Sequence, residues 1–297
     1  MPPLTRDQHL FTPSPKRILA LEGGGVCGII SLAYLERLEA LLRERIGPDL
    51  VLADYFDLIG GTSGGAIIAT GLALGMPVAK LIDIYFNLAS KGFRRTIWSA
   101  YWAPKFRAGP LLEQIREQVG VTTLGSTAIR TGLAIVAKRI DTGSVWVFHN
   151  HPNGPFFDPH GRDPDAVPNK DLLLSHLLRA STAAPTYFAP ERLEVARGIT
   201  GTFVDGGVSP HNNPALLLFL LATMRGYGFR WPIGADRLML LSVGTGYHPM
   251  TPERMPSTLA PPIVGRHRAA LTDGGLQLAG PDDVAIPWHI ALAMAHR

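Results

Sequence analysis

A chain of 297 residues with 46% hydrophobic and 18% charged side chains can bury a sizeable core, as one large domain or two small ones. Its 32 glycines and 25 prolines follow no period, which excludes collagen-like and disordered classes and points to many tight turns. A formal net charge of +4 without a clustered basic stripe speaks against nucleic acid as a partner, and leaves contact with an anionic membrane surface open.

In chain order, residues 1–15 are polar with four prolines and no apolar run, so they are expected as a flexible tail rather than a secretion signal. Lys16 to Leu21 reads as a buried strand, followed by the glycine-rich turn Glu22 to Gly28. The single cysteine, Cys27, lies in that turn; it excludes an intramolecular disulfide and fits a reducing, cytoplasmic setting. It is read as a small packed residue. A helix follows, with Ile30, Ala33, Tyr34, Leu38, Leu41 and Leu42 as its apolar face and Glu36, Arg37, Glu39, Arg43 and Glu44 outside. Gly47-Pro48 ends it.

Tyr55 to Ile59 reads as a second strand and Ile67 to Leu74 as a buried helix. Leu58 to Ala79 carries no charge and is long enough to span a bilayer, but Gly60, Gly61, Gly64, Gly65, Gly71, Gly75 and Pro77 break it. A buried strand, turn and helix is the better reading. Another helix runs from Pro77 to about Ala89. Phe93 to Arg107 then combines aromatic and basic residues with no acid. Phe93, Arg94, Arg95, Trp98 and Trp102 are candidates for interfacial lipid contact, against the alternative of a packed cap with a basic edge.

A short helix to Val119 precedes a hairpin around Asp141 to Ser144. His149 to Pro168 reads as a solvated loop, in which His149, His151 and His160 make only a weak zinc pattern, so no metal is expected. Leu172 to Arg179 is helical, Thr202 to Val204 a strand, Pro214 to Met224 an apolar helix and Leu238 to Val243 a last strand. Alternating strands and helices predict a mostly parallel sheet with helices on both faces.

The chemistry centres on Gly61-Thr62-Ser63-Gly64-Gly65, a G-x-S-x-G sequence at a strand-to-helix turn. Such a nucleophile elbow holds its serine in a strained, exposed conformation between glycines that leave room for the tight turn. A serine nucleophile also needs a base and an oxyanion hole. The turn containing Gly23, Gly24, Gly25 and Gly28 follows a strand and opens a helix, where free N–H groups can hold an oxyanion. Gly23, Gly25 and Gly28 also spell a dinucleotide fingerprint, but Asp49 and Asp57 fall in the wrong places for its acidic partner. Ile29-Ile30 excludes a Walker A loop. For the base, Asp205 ends a strand before Gly206 and Gly207, while His211 and His248 lie near strand ends and leave a three-member triad open.

Gly23-x-Gly25-x-x-Gly28, Gly61-x-Ser63-x-Gly65 and Asp205-Gly206-Gly207, in this order, resemble the patatin-like phospholipase family. The likeness extends to Arg179 to Phe188, Asn212-Asn213-Pro214 and Ser242 to Gly246, about residues 16 to 246. The resemblance implies a three-layer α/β/α sandwich that hydrolyses acyl esters of lipids, with Ser63 as nucleophile, Asp205 as base, the N–H groups around Gly24 and Gly25 of the Gly23–Gly28 loop as oxyanion hole and no cofactor. The family commonly has arginine where this chain has Cys27, a change that an oxyanion hole made of backbone N–H groups is expected to survive. Residues 16–250 are thus expected as the catalytic domain, and 251–297 as a C-terminal segment packed on it. The expected partner is a phospholipid or other acyl ester, met at a peripheral membrane surface. A triad esterase and a nucleotide-binding α/β protein are the alternatives.

Overall fold

A computed structural model describes residues 4–92, 108–185 and 187–246. The elements are α1 (Arg6–Phe11), β1 (Lys16–Leu21), a 3-10 turn (Gly25–Cys27), α2 (Gly28–Arg45), α3 (Leu52–Tyr55), β2 (Leu58–Thr62), α4 (Gly64–Ala73) and α5 (Val78–Gly92). After them come α6 (Ala108–Val119), β3 (Gly132–Arg139), β4 (Val145–His149), α7 (Leu174–Ser181), β5 (Glu191–Ala196), β6 (Ile199–Asp205), α8 (Ala215–Thr223) and β7 (Leu238–Val243).

One seven-stranded sheet joins the strands in the order β5-β6-β3-β2-β1-β7, with β4 on β3. Strands β7, β1, β2 and β3 are mutually parallel, with β7 at the edge; β4, β5 and β6 pair antiparallel. Because strand side chains alternate between faces, the central strands feed two cores. Leu19, Leu21, Ile59, Leu133 and Ile135 pack with residues of α2, α4 and α7 on one face. Ile18, Ala20, Leu58 and Ala134 pack with Leu10 of α1 and Leu218 and Leu221 of α8 on the other. The chain is therefore a three-layer α/β/α sandwich.

Four local expectations change. Residues 6–11, expected within a loose tail, form a helix whose Thr5 and Gln8 make a reciprocal capping box. Leu10 is buried, and its carbonyl oxygen accepts from the Trp231 indole N–H at 3.2 Å, which ties the segment to the second core. Helix α2 turns a different face inward from the one expected: Gly28, Ser31, Leu32, Leu35, Glu39 and Leu42 are buried, while Ile30 and Tyr34 are exposed. Sorting by polarity fails there because two polar residues find partners inside. Ser31 donates to the Gly244 carbonyl at 2.9 Å, and Glu39 pairs with Arg43 at 2.7 Å. Burial pushes the Glu39 carboxyl up from its usual value, and Arg43 opposes it.

His149 and His151 are buried rather than solvated, their rings 5.5 and 4.2 Å from that of Phe229. Burial pushes them down to about 3 and about 4, so both are neutral at physiological pH. No cluster of potential metal ligands occurs among the described residues. Cys27 is exposed, not packed. Among the described residues no helix is long and apolar enough to cross a membrane, and Leu58 to Ala79 resolves into β2, α4 and the start of α5.

Candidate active site

Strand register brings Ser63 and Asp205 together. One edge of β3 pairs with β4 from Ala134 to Lys138. Its other edge pairs with β2 as far as Thr62↔Val136, then with β6 starting at Ala137↔Asp205. Strand β2 is parallel to β3 and β6 antiparallel, so their C-terminal ends meet head to head on consecutive β3 residues. Ser63 follows Thr62 directly, and Asp205 is the last residue of β6. Residues 142 apart in the chain are thereby set side by side, outside the carboxyl ends of the parallel strands, where α/β sheets hold their ligands.

At this junction the Ser63 hydroxyl donates to Asp205 Oδ2 at 2.6 Å. Ser63 has φ 54 and ψ −125, a conformation that β-carbon sterics disfavour and that marks the strained elbow. Gly61 and Gly65 make the turn possible: a Cβ on Gly61 would collide with the Gly65 backbone, and one on Gly65 with the Leu21 carbonyl. The N-terminus of α4 lies directly behind Ser63, and its positive dipole end favours negative charge there.

Asp205 is 6% exposed. Its Oδ1 accepts from the Gly207 N–H at 2.7 Å. Gly206 packs on the junction, where a Cβ would stand 2.7 Å from the Val136 carbonyl oxygen. Burial pushes the Asp205 carboxyl up to about 6, against the lowering effects of the Ser63 hydroxyl, the Gly207 N–H and the Arg179 charge. A carboxylate with a pKa that close to neutrality is still ionised at pH 7 and is a better base than a solvated one.

The glycine-rich loop lies against the same serine. A Cβ on Gly23 would collide with the Asn212 amide oxygen and stand 3.2 Å from Ser63 Cβ. Asn212 clamps the loop from both sides: its carbonyl accepts from the Gly23 N–H at 3.0 Å and its amide donates to the Gly23 carbonyl at 3.0 Å. Glu22 accepts from the Thr245 N–H at 3.1 Å, which anchors the loop to the end of β7. Two of the four expected oxyanion glycines have committed N–H groups, because Gly23 donates to Asn212 and Gly28 to the carbonyls of Gly25 and Val26. Among the described residues nothing accepts from Gly24 or Gly25. Gly25 has φ 51, a left-handed conformation that suits glycine.

Ser63, Asp205 and Gly23 to Gly25 line a cavity of about 470 Å³. Val26, Ile67, Tyr85, Ala184, Phe188 and Val208 supply much of the remaining wall, and Asp205 is the only charged residue on it among the described residues. The Tyr85 hydroxyl donates to the Gly25 carbonyl.

A family model for patatin-like phospholipases matches residues 19–219. The chain belongs to the patatin-like phospholipase family. It is 33% identical over 236 residues to a cGAMP-activated phospholipase of Escherichia coli (strain TW11681), covering 77% of this chain and 62% of that protein. It is 32% identical over 246 residues to Patatin-03 of Solanum tuberosum, covering 77% and 60%. Patatin-like protein 1 of Oryza sativa subsp. indica is 29% identical over 255 residues, with 77% and 58% covered. The chain thus spans about 60% of the length of these curated relatives. Among solved structures, VipD from Legionella pneumophila aligns with a TM-score of 0.34 and 15% identity, over 66% of this chain and 46% of that one.

Within this patatin-like site, the structure brings together Ser63, Asp205, Gly23, Gly24, Gly25, Gly61, Gly65, Gly206 and Gly207. Gly28 stands aside, packed on Tyr85. Among the described residues no histidine ring is hydrogen-bonded to Ser63 or Asp205; His211 meets the junction through its backbone carbonyl, which accepts from Thr62 Oγ1 at 2.7 Å. His248, Phe93, Arg94, Arg95, Trp98, Trp102 and residues 251–297 lie outside the described residues. Sequence reasoning assigned no role to Asn212, Tyr85, Arg179 or Ser181. For three of these the signal was present in the Arg179–Phe188 and Asn212–Pro214 motifs; Tyr85 had none.

Proposed function

We propose that the protein is a lipid acyl hydrolase working through a Ser63–Asp205 dyad. Asp205 Oδ2 takes the proton of the Ser63 hydroxyl as Oγ attacks the carbonyl carbon of an acyl ester. The N–H groups of Gly24 and Gly25 stabilise the tetrahedral oxyanion. Collapse expels the alcohol, which takes the proton back from Asp205 and leaves an acyl-enzyme on Ser63. A water molecule then attacks the acyl carbon with Asp205 again as base, and the fatty acid leaves with Ser63 restored.

The observation that carries this reading is the 2.6 Å bond from Ser63 to Asp205 at the wall of an apolar cavity. A cavity of about 470 Å³ lies within the usual range for small-molecule sites. Its apolar wall suits an acyl chain. The substrate in this reading is a phospholipid or neutral acyl ester drawn from a lipid surface.

A fluorophosphonate probe tests the nucleophile. Labelling of Ser63, abolished in Ser63→Ala, is the expected result, together with fatty acid release from phospholipid vesicles. A folded protein that neither takes the probe nor releases fatty acid would overturn the reading.

A further inference from the structure

Besides lining the cavity with Ala184 and Phe188 and placing the Arg179 charge near Asp205, the Arg179–Phe188 motif grips both members of the dyad by their backbones. Ser181 ends α7 and is fully buried. Its hydroxyl accepts a hydrogen bond from the Ser63 N–H at 2.9 Å and donates one to the Val136 carbonyl at 2.6 Å. Val136 is the β3 residue in register with Thr62, and its neighbour Ala137 is in register with Asp205. Ser181 therefore sits at the joint where β2 and β6 meet. Two residues on, the Ala183 carbonyl accepts from the Asp205 N–H at 3.1 Å.

A positive φ at a residue other than glycine persists only where the surroundings over-determine it. Ser63 is such a residue, and β2 ends at Thr62, so the sheet ladder does not hold its N–H. Ser181 supplies the missing acceptor, and its outgoing bond to Val136 ties that acceptor to β3.

We propose that Ser181 is a positioning residue: by bridging the Ser63 N–H to the Val136 carbonyl it fixes the elbow backbone and so sets the Ser63 hydroxyl against Asp205. The inference rests on Ser63 being the nucleophile. The bridge also removes the nucleophile's own N–H from the oxyanion donors. A hydroxyl that only satisfied a buried donor would add stability without changing the reactivity of the folded protein. One that positions Ser63 changes the rate at each folded site.

The test uses the full chain with Ser181→Ala and Ser181→Cys. For each, the rate of fluorophosphonate labelling is measured, with kcat and KM on a short p-nitrophenyl ester per titrated serine and the thermal midpoint. Ser181→Ala is expected to slow labelling and lower kcat by about 10- to 100-fold with KM within about twofold, since small misplacement of a reacting group has effects of that order. Wild-type labelling rate and kcat per site in folded Ser181→Ala would overturn the inference, whatever the change in thermal midpoint. Should the alanine variant fail to fold, Ser181→Cys, of similar size but with a weak acceptor, is judged in the same way. A slowed rate per site supports the bridge and a wild-type rate overturns it. If wild-type protein is not labelled at Ser63 at all, the dyad reading fails and this inference with it; labelling at equal rates in wild type and variant removes this inference alone.

Discussion

Two buried aspartates, one at each end of the parallel strands, differ in what surrounds their carboxylates. Asp57 precedes β2 and Asp205 ends β6, and each is 6% exposed. Asp57 is surrounded by partners: His9 Nδ1 at 2.9 Å, the Arg17 N–H at 2.8 Å and Lys16 Nζ at 3.9 Å. These contacts fasten α1 and β1 to β2. Asp205 has a hydroxyl and one backbone N–H instead, with burial as the largest influence on its carboxyl. Equal burial therefore does not mean equal chemistry. A buried carboxylate tied to a lysine, a histidine ring and a backbone N–H fastens the fold, and in the proposed reading one held by a hydroxyl and a single N–H accepts a proton.

Substitutions at the two positions should part most widely in activity. Asp205→Asn is expected to lower kcat/KM by about 10⁴-fold or more with the fold kept, as removal of a base from a nucleophilic site does elsewhere. Asp57→Ala should leave kcat per folded site within about twofold. Comparable activity losses in both, measured per titrated serine, would break the contrast.

Stability should move the other way. Asp57→Ala strands His9 and Lys16 and is expected to cost about 3–5 kcal/mol in urea unfolding, the usual result of removing one partner of a buried pair. Asp205→Asn should gain about 1–3 kcal/mol at pH 8. The sign follows from the carboxyl being raised from 3.8 to about 6 on folding. Between those values the native state holds more protons than the unfolded one, so this group's contribution to stability falls as pH rises from about 4 to 6. The gain should therefore shrink to nothing at pH 4, and a gain independent of pH would contradict the assignment.

The same raised carboxyl predicts an acid limb in kcat/KM with a midpoint near pH 6, falling about tenfold per pH unit below it. The smallest expected effect belongs to Arg179, which is 1% exposed, with Nε and Nη1 unpaired among the described residues and Nη2 donating to Ala189 O at 2.5 Å. Its charge draws the Asp205 carboxyl down. Arg179→Met should move the acid limb upward by a fraction of a pH unit; a downward move would show that the two groups are not coupled as described.

Much of this site is legible in the sequence because close approach leaves a local mark. Gly61 and Gly65 are dictated by a turn that admits no Cβ, and Gly23 by the Asn212 amide it touches. Helix α2 shows where legibility fails. Ser31 and Glu39 look like surface residues until Gly244 and Arg43 supply their partners, so the inward face is chosen by contacts that hydropathy does not encode. His149 and His151 are a second case, since their burial depends on Phe229, 78 residues beyond the later of them.

The sequence by itself determined the strand-turn-helix units, the strained serine and the aspartate at a strand end, because each depends on neighbours within a few residues. Only the tertiary structure decided that β2 and β6 meet head to head on β3, which makes Ser63 and Asp205 partners. It also decided that the N–H groups of Gly23 and Gly28 are committed while those of Gly24 and Gly25 are not, and that Ser181 holds the elbow from behind. Register and hydrogen-bond assignment depend on which distant segments share an edge, and that is a property of the packed sheet rather than of any single stretch of chain.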